Sequence, residues 1–213
     1  MDWTAMILLF VTLIISLTVH EASHGLFAYL GGDRTAHDAG LVTLNPLPHM
    51  RREPIGMVAL PLIVLYMSQG TMCFGGASAP IDPYWAARHP RKAAMMSAAG
   101  PLANVLLAAI AFTILYVIGR PEGDAARTAR TIARSFLLLN LLLAIFNLIP
   151  LPPFDGSGIV GGLFPASQRL YDSLRRIPYF FVLTLFAAWL LLPIVFKPAW
   201  TLVGNWLPYP PWY

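Results

Sequence analysis

Five long stretches without charged side chains constrain the fold more than any other feature of this sequence. They cover residues 3–32, 56–81, 93–119, 135–154 and 177–196. Each is about as long as the ~20 residues with which a helix crosses the hydrocarbon core of a bilayer, and Glu21 is the only Asp, Glu, Lys or Arg within them. Only 11% of the chain is charged, whereas an average soluble domain carries ~25%. The sequence therefore predicts an all-α, multi-pass integral membrane protein in which residues 1–213 form one membrane-embedded domain.

Charge, the first residues and cysteine content argue against a nucleic-acid partner, a cleaved signal peptide and an intrachain disulfide. The formal net charge is +4, but the basic residues are scattered through connecting loops and form no basic face, so we expect no nucleic-acid partner. Asp2 stands where a signal peptide has a basic leader, and no small-residue cleavage site follows, so we expect the first stretch to be retained as a span. Cys73 is the single cysteine, which leaves no intrachain disulfide.

The first stretch contains an H-E-x-x-H pattern. His20 and His24 lie one turn apart on a helix face with Glu21 beside them, the arrangement in which two imidazoles bind zinc and a glutamate acts as general base. The alternative is a pair of packed, neutral histidines. A charged side chain at the centre of a span costs ~2.5–3.5 kcal/mol on insertion scales, and ionisable groups there are functional by default. The membrane context therefore favours the metal site.

Asp155 is the best candidate for the third ligand that a catalytic zinc requires. Three prolines between positions 150 and 153 break the fourth apolar stretch just before it, and irregular backbone at membrane depth is tolerated where it lines a cavity. A helix N-cap is the alternative role for Asp155. The remaining histidines, His37, His49 and His89, lie in polar loops and are expected to be solvated.

Three sequence blocks resemble the signature of the site-2 protease family, the zinc metallopeptidases that cut substrates within the membrane. They read TVHEASHGL at 18–26, AAGPLAN at 98–104 and NLIPLPPFDG at 147–156, in the family's order. Residues 41–49, LVTLNPLPH, resemble the loop that follows the metal helix in short bacterial members. The similarity covers roughly residues 10–160. Phe154 replaces the family's usual leucine, and no PDZ or CBS domain is visible, as in a short form of the family.

The resemblance implies that His20, His24 and Asp155 bind one zinc ion (Zn2+) and that Glu21 is the base that activates water. It also implies cleavage of membrane-embedded or membrane-proximal segments of transmembrane protein substrates. Asn104 and Asn147 are apolar-helix amides that could bind the substrate backbone or the developing oxyanion. Hydrogen bonding between helices is the alternative role for both.

The ligands impose a topology, because His24 and Asp155 can meet only if the first and fourth stretches enter the membrane from the same side. Residues 56–81 must then re-enter and not span, which leaves about four to five transmembrane helices. With this segment re-entrant, nine of the 14 basic residues lie on the side of the metal site; with it spanning, six do. The positive-inside rule then predicts an active site toward the cytoplasm, and the resemblance to short bacterial members implies a bacterial cell membrane.

Two further expectations concern substrate binding and rival functions. Residues 41–44 are rich in strand formers and precede an Asn-Pro turn signal, so they could form a short strand or β-hairpin beside the active site to which a substrate adds as a strand. A connecting loop on the membrane surface is the alternative. A divalent-metal transporter could use the same ligands, but it needs polar groups through both leaflets, whereas here they cluster at one depth. An inactive relative that binds partners is disfavoured because every ligand position and the base are filled.

Overall fold

The computed structural model describes residues 2–209, and ten helices make up about three quarters of that range. They are α1 (Trp3–Gly31), α2 (Thr35–Asp38), α3 (Pro46–Arg52), α4 (Ile55–Met67, whose first turn Ile55–Ala59 is a π-helix), α5 (Pro83–Arg88), α6 (Pro90–Ile118), α7 (Gly123–Asn147), α8 (Asp155–Leu163), α9 (Gln168–Arg175) and α10 (Phe180–Asn205). A 3₁₀ turn, Pro165–Ser167, separates α8 from α9. Residues 2–209 contain no strand, so the predicted all-α class is confirmed.

Four helices are long and apolar enough to cross a membrane: α1, α6, α7 and α10, with 25 to 29 residues each. At 1.5 Å per residue they measure ~38–44 Å, longer than the ~30 Å hydrocarbon core. The side chain of Asp2 caps the start of α1 by accepting from the backbone of Thr4 and Ala5. Gly32 ends the helix with a φ of +105°, a conformation that glycine adopts without strain.

Helices α1, α6 and α7 pack side by side, and α6 runs antiparallel to the other two. Met96, near the start of α6, contacts His24, whereas Asn104, two turns later, contacts His20. Helices α1 and α7 run parallel, with Leu13, Leu17, Leu139 and Leu143 in one apolar cluster. The carboxyl ends of α1 and α7 therefore lie at the same end of the bundle, as the ligand geometry requires.

Helix α4 starts the segment that the sequence predicts to be re-entrant, and this segment doubles back on itself. Its 13 residues span only ~20 Å, and Gly70, with a φ of +83°, lies so close to α1 that a Cβ would stand 2.7 Å from Met6 Cγ. The chain then returns without forming a helix or strand, and Gly76 N donates to the Gly56 carbonyl at 3.1 Å.

Two further hydrogen bonds position this doubled segment: one joins its two ends to each other, and one joins it to the carboxyl end of α1. Ser78 Oγ donates to Glu53 Oε1 at 2.8 Å, and Asp82 N donates to Asp33 Oδ2, just after α1, at 2.9 Å. Residues 53–82 therefore begin and end at the same end of the bundle.

The short hairpin expected near residue 41 is not found among residues 2–209. Residues 42–44 form bends, and Asn45 caps α3 by accepting from Leu47 N at 3.0 Å. Pro46 occupies the first turn of that helix, where its missing N–H costs nothing. The Asn-Pro pair therefore starts a helix and not a turn between strands.

Candidate metal centre

Helix α1 brings two imidazoles together, and the start of α8 adds a carboxylate. His20 Nε2 and His24 Nε2 lie 3.0 Å apart, and Asp155 Oδ2 lies 3.1 Å from the first and 3.3 Å from the second. His20 and His24 are buried, with 4% and 6% of their surface exposed. In the described part of the chain, these three side chains form the cluster that could hold a metal ion.

Hydrogen bonds determine which nitrogen of each neutral imidazole carries the proton. His20 Nδ1 donates to Asn104 Oδ1 at 2.6 Å, and His24 Nδ1 donates to the Met96 carbonyl at 2.7 Å. In the neutral rings Nε2 is then a bare lone pair. The contacts with Asp155 would be ion pairs only if Nε2 also carried a proton.

The donor set fits zinc. Two nitrogen lone pairs and one carboxylate oxygen converge, and Asp155 Oδ2 and Glu21 Oε2 are buried without a hydrogen-bond partner. Ligand atoms ~2.0–2.1 Å from a tetrahedral zinc ion lie ~3.3–3.4 Å apart, close to the distances between these three atoms. A bound dication would satisfy the lone pairs and balance the two carboxylates of the site.

Gly100 on α6 lets the two rings approach that helix. A Cβ at this position would lie 2.3 Å from His24 Nε2 and 2.6 Å from His20 Nε2. Both distances are too short for a Cβ contact, so any other residue here would clash with the rings. Gly100 and Asn104 are four residues apart and share a helix face, so one leaves room for the rings while the other hydrogen-bonds to His20.

The proline-rich turn after α7 aims Asp155 at the histidines. Helix α8 begins at Asp155 with Phe154 at the N-cap position, so the structure does not give Asp155 the alternative capping role. Gly156 packs so tightly that a Cβ would lie 2.4 Å from the carbonyl oxygens of Leu148 and Ile149. Tyr171 Oη donates to the Pro150 carbonyl at 3.1 Å and braces the turn from α9.

A cavity of about 310 Å³ opens beside the cluster. Glu21, buried with 4% of its surface exposed, lines it together with the three metal-binding candidates. Four of residues 77–81, which form neither helix nor strand, line other parts of its wall together with Asn147 and Arg175. Glu21 is therefore placed to exchange protons with a molecule in this cavity.

The two asparagines proposed from the sequence have different surroundings. Asn147 lines the cavity and is half-buried, with Nδ2 donating to the Leu143 carbonyl at 3.0 Å. Asn104 is fully buried and does not line the cavity; its side chain bonds His20 and Asn140. Only Asn147 is therefore in a position to meet a substrate, and Asn104 instead supports a ligand.

The other three histidines do not join the cluster. His37 and His89 are exposed, as expected. The expectation of solvent exposure is wrong for His49, which is 4% exposed and bonds through Nε2 to the Thr43 carbonyl at 3.0 Å. The resemblance of residues 41–49 to the loop after a metal helix was the one sequence signal for this buried position.

An H-E-x-x-H helix joined by an aspartate from a broken helix, within a bundle of long apolar helices, defines a membrane-type metallopeptidase. The model of Peptidase family M50 matches residues 8–132 and 117–189. The chain belongs to this family, and the resemblance to the site-2 proteases is confirmed.

Relatives with known names agree with this assignment. The chain is 35% identical over 166 residues to "Putative zinc metalloprotease YwhC" of Bacillus subtilis, covering 76% of this chain and 71% of that protein. It is 30% identical over 174 residues to "Putative zinc metalloprotease Rip2" of Mycolicibacterium smegmatis, covering 81% of this chain. It spans 63% of that relative's length. No solved structure gives a significant match. Family and fold together support a zinc metalloprotease with membrane-spanning helices.

Proposed function

We propose that the protein is an intramembrane zinc endopeptidase that hydrolyses peptide bonds in membrane-embedded or membrane-proximal segments of other proteins. The observation that carries this proposal is the convergence of His20 Nε2, His24 Nε2 and Asp155 Oδ2 beside a buried glutamate and a cavity. The ion that these atoms would hold supplies an activated water and polarises the scissile carbonyl oxygen.

Glu21 is the proposed general base and acid. Its Oε2 is buried without a hydrogen-bond partner, so it can accept a proton from water. The same oxygen then delivers that proton to the nitrogen of the departing amine. Low exposure to solvent strengthens the electrostatic effect of this carboxylate on the reacting groups.

Asn147 is the proposed contact to the substrate backbone. It lines the cavity, and its Nδ2 already donates to Leu143 within its own helix. The second N–H of that amide, or the oxygen, can pair with a peptide group of the substrate. We infer that Asn147 orients the peptide and does not take part in the proton transfer.

Residues 77–81 form neither helix nor strand, and their backbone offers a place where an extended substrate segment could bind. Within the described part of the chain, no backbone hydrogen bond joins these residues to other backbone groups, and most of them line the cavity. A peptide segment could pair with this free edge as an added strand. Helical carbonyls are hidden by their own hydrogen bonds, so the substrate segment must unwind before it is cut. This edge takes the place of the hairpin expected near residue 41.

The proposed topology places residues 53–82 as a re-entrant element on the side of the metal site. The doubled-back path supports it, because Ser78 bonds to Glu53 at the other end of the segment and Asp82 N bonds to Asp33, just after the carboxyl end of α1. Four spans then remain, and the excess of basic residues on the site side supports an active site toward the cytoplasm of a bacterial cell.

The proposal is tested with purified protein reconstituted in liposomes with a model transmembrane substrate. Glu21→Gln is expected to bind zinc like the wild type and to lose cleavage, because the ligands stay and the proton acceptor is gone. Asp155→Ala is expected to lose both zinc and cleavage. Full cleavage by Glu21→Gln would reject the assigned base. Zinc uptake into sealed liposomes without any cleavage would favour a transporter instead.

A further inference from the structure

A chain of buried hydrogen bonds leads from His20 into the centre of the bundle. His20 Nδ1 meets Asn104 Oδ1 at 2.6 Å, and Asn104 Nδ2 donates to Asn140 Oδ1 on α7 at 2.8 Å. Asn104 and Asn140 are both 0% exposed. Buried amides that bond each other in this way have a definite orientation, because each must present the correct end to its neighbour.

The far end of the chain sets that orientation. Asn140 Nδ2 donates to the Phe136 carbonyl at 2.9 Å and to Ser16 Oγ at 2.9 Å. A carbonyl can only accept a hydrogen bond, so the nitrogen of Asn140 must face Phe136 and its oxygen must face Asn104. Ser16 Oγ in turn donates to the Thr12 carbonyl at 2.7 Å, which leaves its lone pair for Asn140.

The direction of the chain determines the tautomer of His20. With Asn140 Oδ1 facing it, Asn104 must present its nitrogen to Asn140 and its oxygen to His20. His20 Nδ1 therefore carries a proton, and in the neutral ring Nε2 is the bare nitrogen that faces Asp155. His24 needs no such chain, because its Nδ1 donates directly to the backbone carbonyl of Met96.

We propose that Asn140, which touches neither a metal ligand nor the cavity, is a positioning residue: through Asn104 it holds His20 in the tautomer that can bind zinc. The proposal rests on the zinc site proposed above. Without the Asn140 side chain, the Asn104 amide can rotate by half a turn and present Nδ2 to His20. His20 then favours a proton on Nε2, where that proton opposes the metal.

The first test compares zinc dissociation constants of full-length protein in detergent, measured by competition with a chelator. Asn140→Leu is expected to bind zinc ~10–100-fold more weakly, the range found when outer-shell partners of metal ligands are lost. Leu137→Ala is the matched control, since Leu137 is buried on the same helix and lies outside the chain of hydrogen bonds. It should lower the melting temperature while zinc affinity stays within about twofold of wild type, the margin we set for no change.

A double variant separates the tautomer from general packing. Asn104→Asp has an acceptor at both ends of its side chain, so it cannot present a donor to His20 in either orientation. Added to Asn140→Leu, it should restore zinc affinity to within about threefold of wild type, well inside the ~10–100-fold loss expected of the single variant. Zinc binding as weak as in the single variant would overturn the proposal, as would wild-type affinity in Asn140→Leu itself.

The Nδ1 proton of His20 gives a readout that needs no metal. In metal-free protein labelled with nitrogen-15 at histidine, His20 Nδ1 should be protonated in the wild type and lose its proton in Asn140→Leu. The same state in both proteins would refute the role of Asn140 even if the zinc proposal failed. Should Asn140→Leu not fold, Asn140→Ala removes the same donor and acceptor without adding bulk. A wild type that binds no zinc rejects the proposed function alone.

Discussion

The replacement of Gly100 by alanine gives the sharpest test of the metal centre, because it adds one methyl group directly against both imidazoles. The new Cβ would lie 2.3 Å from His24 Nε2 and 2.6 Å from His20 Cε1, whereas ordinary contact begins near 3.4 Å. The rings, the helix or both must therefore shift by about 1.1 Å. Metal-ligand distances tolerate only about ±0.2 Å, so the ligand set cannot survive a shift of this size.

The rings have nowhere to go without further loss. His20 and His24 are bonded through Nδ1 to Asn104 and Met96, and both partners lie on α6, the helix that carries Gly100. A ring that moves away from the methyl group also leaves its hydrogen-bond acceptor. We therefore expect zinc affinity to fall by more than the ~100-fold upper range for loss of an outer-shell partner.

The stability of Gly100→Ala provides an independent test of the same geometry. Alanine favours a helix over glycine by ~1 kcal/mol, so a neutral site would become more stable. Overpacking costs ~1–3 kcal/mol, so we expect Gly100→Ala to lower the melting temperature despite the better helix propensity. Gly76→Ala is the control, because a Cβ there would meet nothing within 4 Å. Zinc bound to Gly100→Ala with a dissociation constant within about threefold of wild type, far short of that ~100-fold loss, would refute the proposed ring geometry.

Three other perturbations test the surroundings of the site. Gly156→Ala should lose zinc and about 1–3 kcal/mol of stability, because its Cβ would meet the Leu148 and Ile149 carbonyl oxygens and open the turn that carries Asp155; zinc content and melting temperature check this. Chelation should lower the melting temperature, since zinc at ~1,000 times its dissociation constant stabilises the fold by ~4 kcal/mol; an unchanged melting curve contradicts it. Single cysteines at 51 and 82, in a Cys73→Ala background, should react with an impermeant reagent from the same membrane face, and labelling from opposite faces would exclude a re-entrant segment.

Local features of the sequence were enough to predict the three proposed ligands and the base. A spacing of four residues puts His20 and His24 on one helix face whatever surrounds that helix. Asp155 follows a run of prolines that must break a helix. The four long helices were equally accessible, because their length and lack of charge follow directly from the thickness of a bilayer.

Contacts between helices were much harder to predict from the sequence. Asn140 and Ser16 are 124 positions apart, and nothing in either helix alone indicates that they meet. The burial of His49 depends on how α3 packs against α1 and the first turn of α4. The β-hairpin expected near residue 41 is absent from the described residues because an Asn-Pro pair occurs both in turns and at helix starts. Only the packing of α3 decides between the two.

Most polar side chains of α1 have a hydrogen-bond partner inside the protein, which explains why a lipid-spanning helix can carry them. Ser16 and Thr18 donate to carbonyls one turn earlier, and both histidines donate to acceptors on α6. Among the described residues, three buried side-chain oxygens lack a hydrogen-bond partner: Glu21 Oε2 and Asp155 Oδ2 lie at the site, and Thr12 Oγ1 lies two turns before His20 on α1. A pair of buried carboxylates beside two neutral imidazoles carries two negative charges, and one zinc ion balances both. Metal binding and folding of this bundle should therefore be coupled, since the ion offsets the desolvation of groups that protein contacts alone leave unsatisfied.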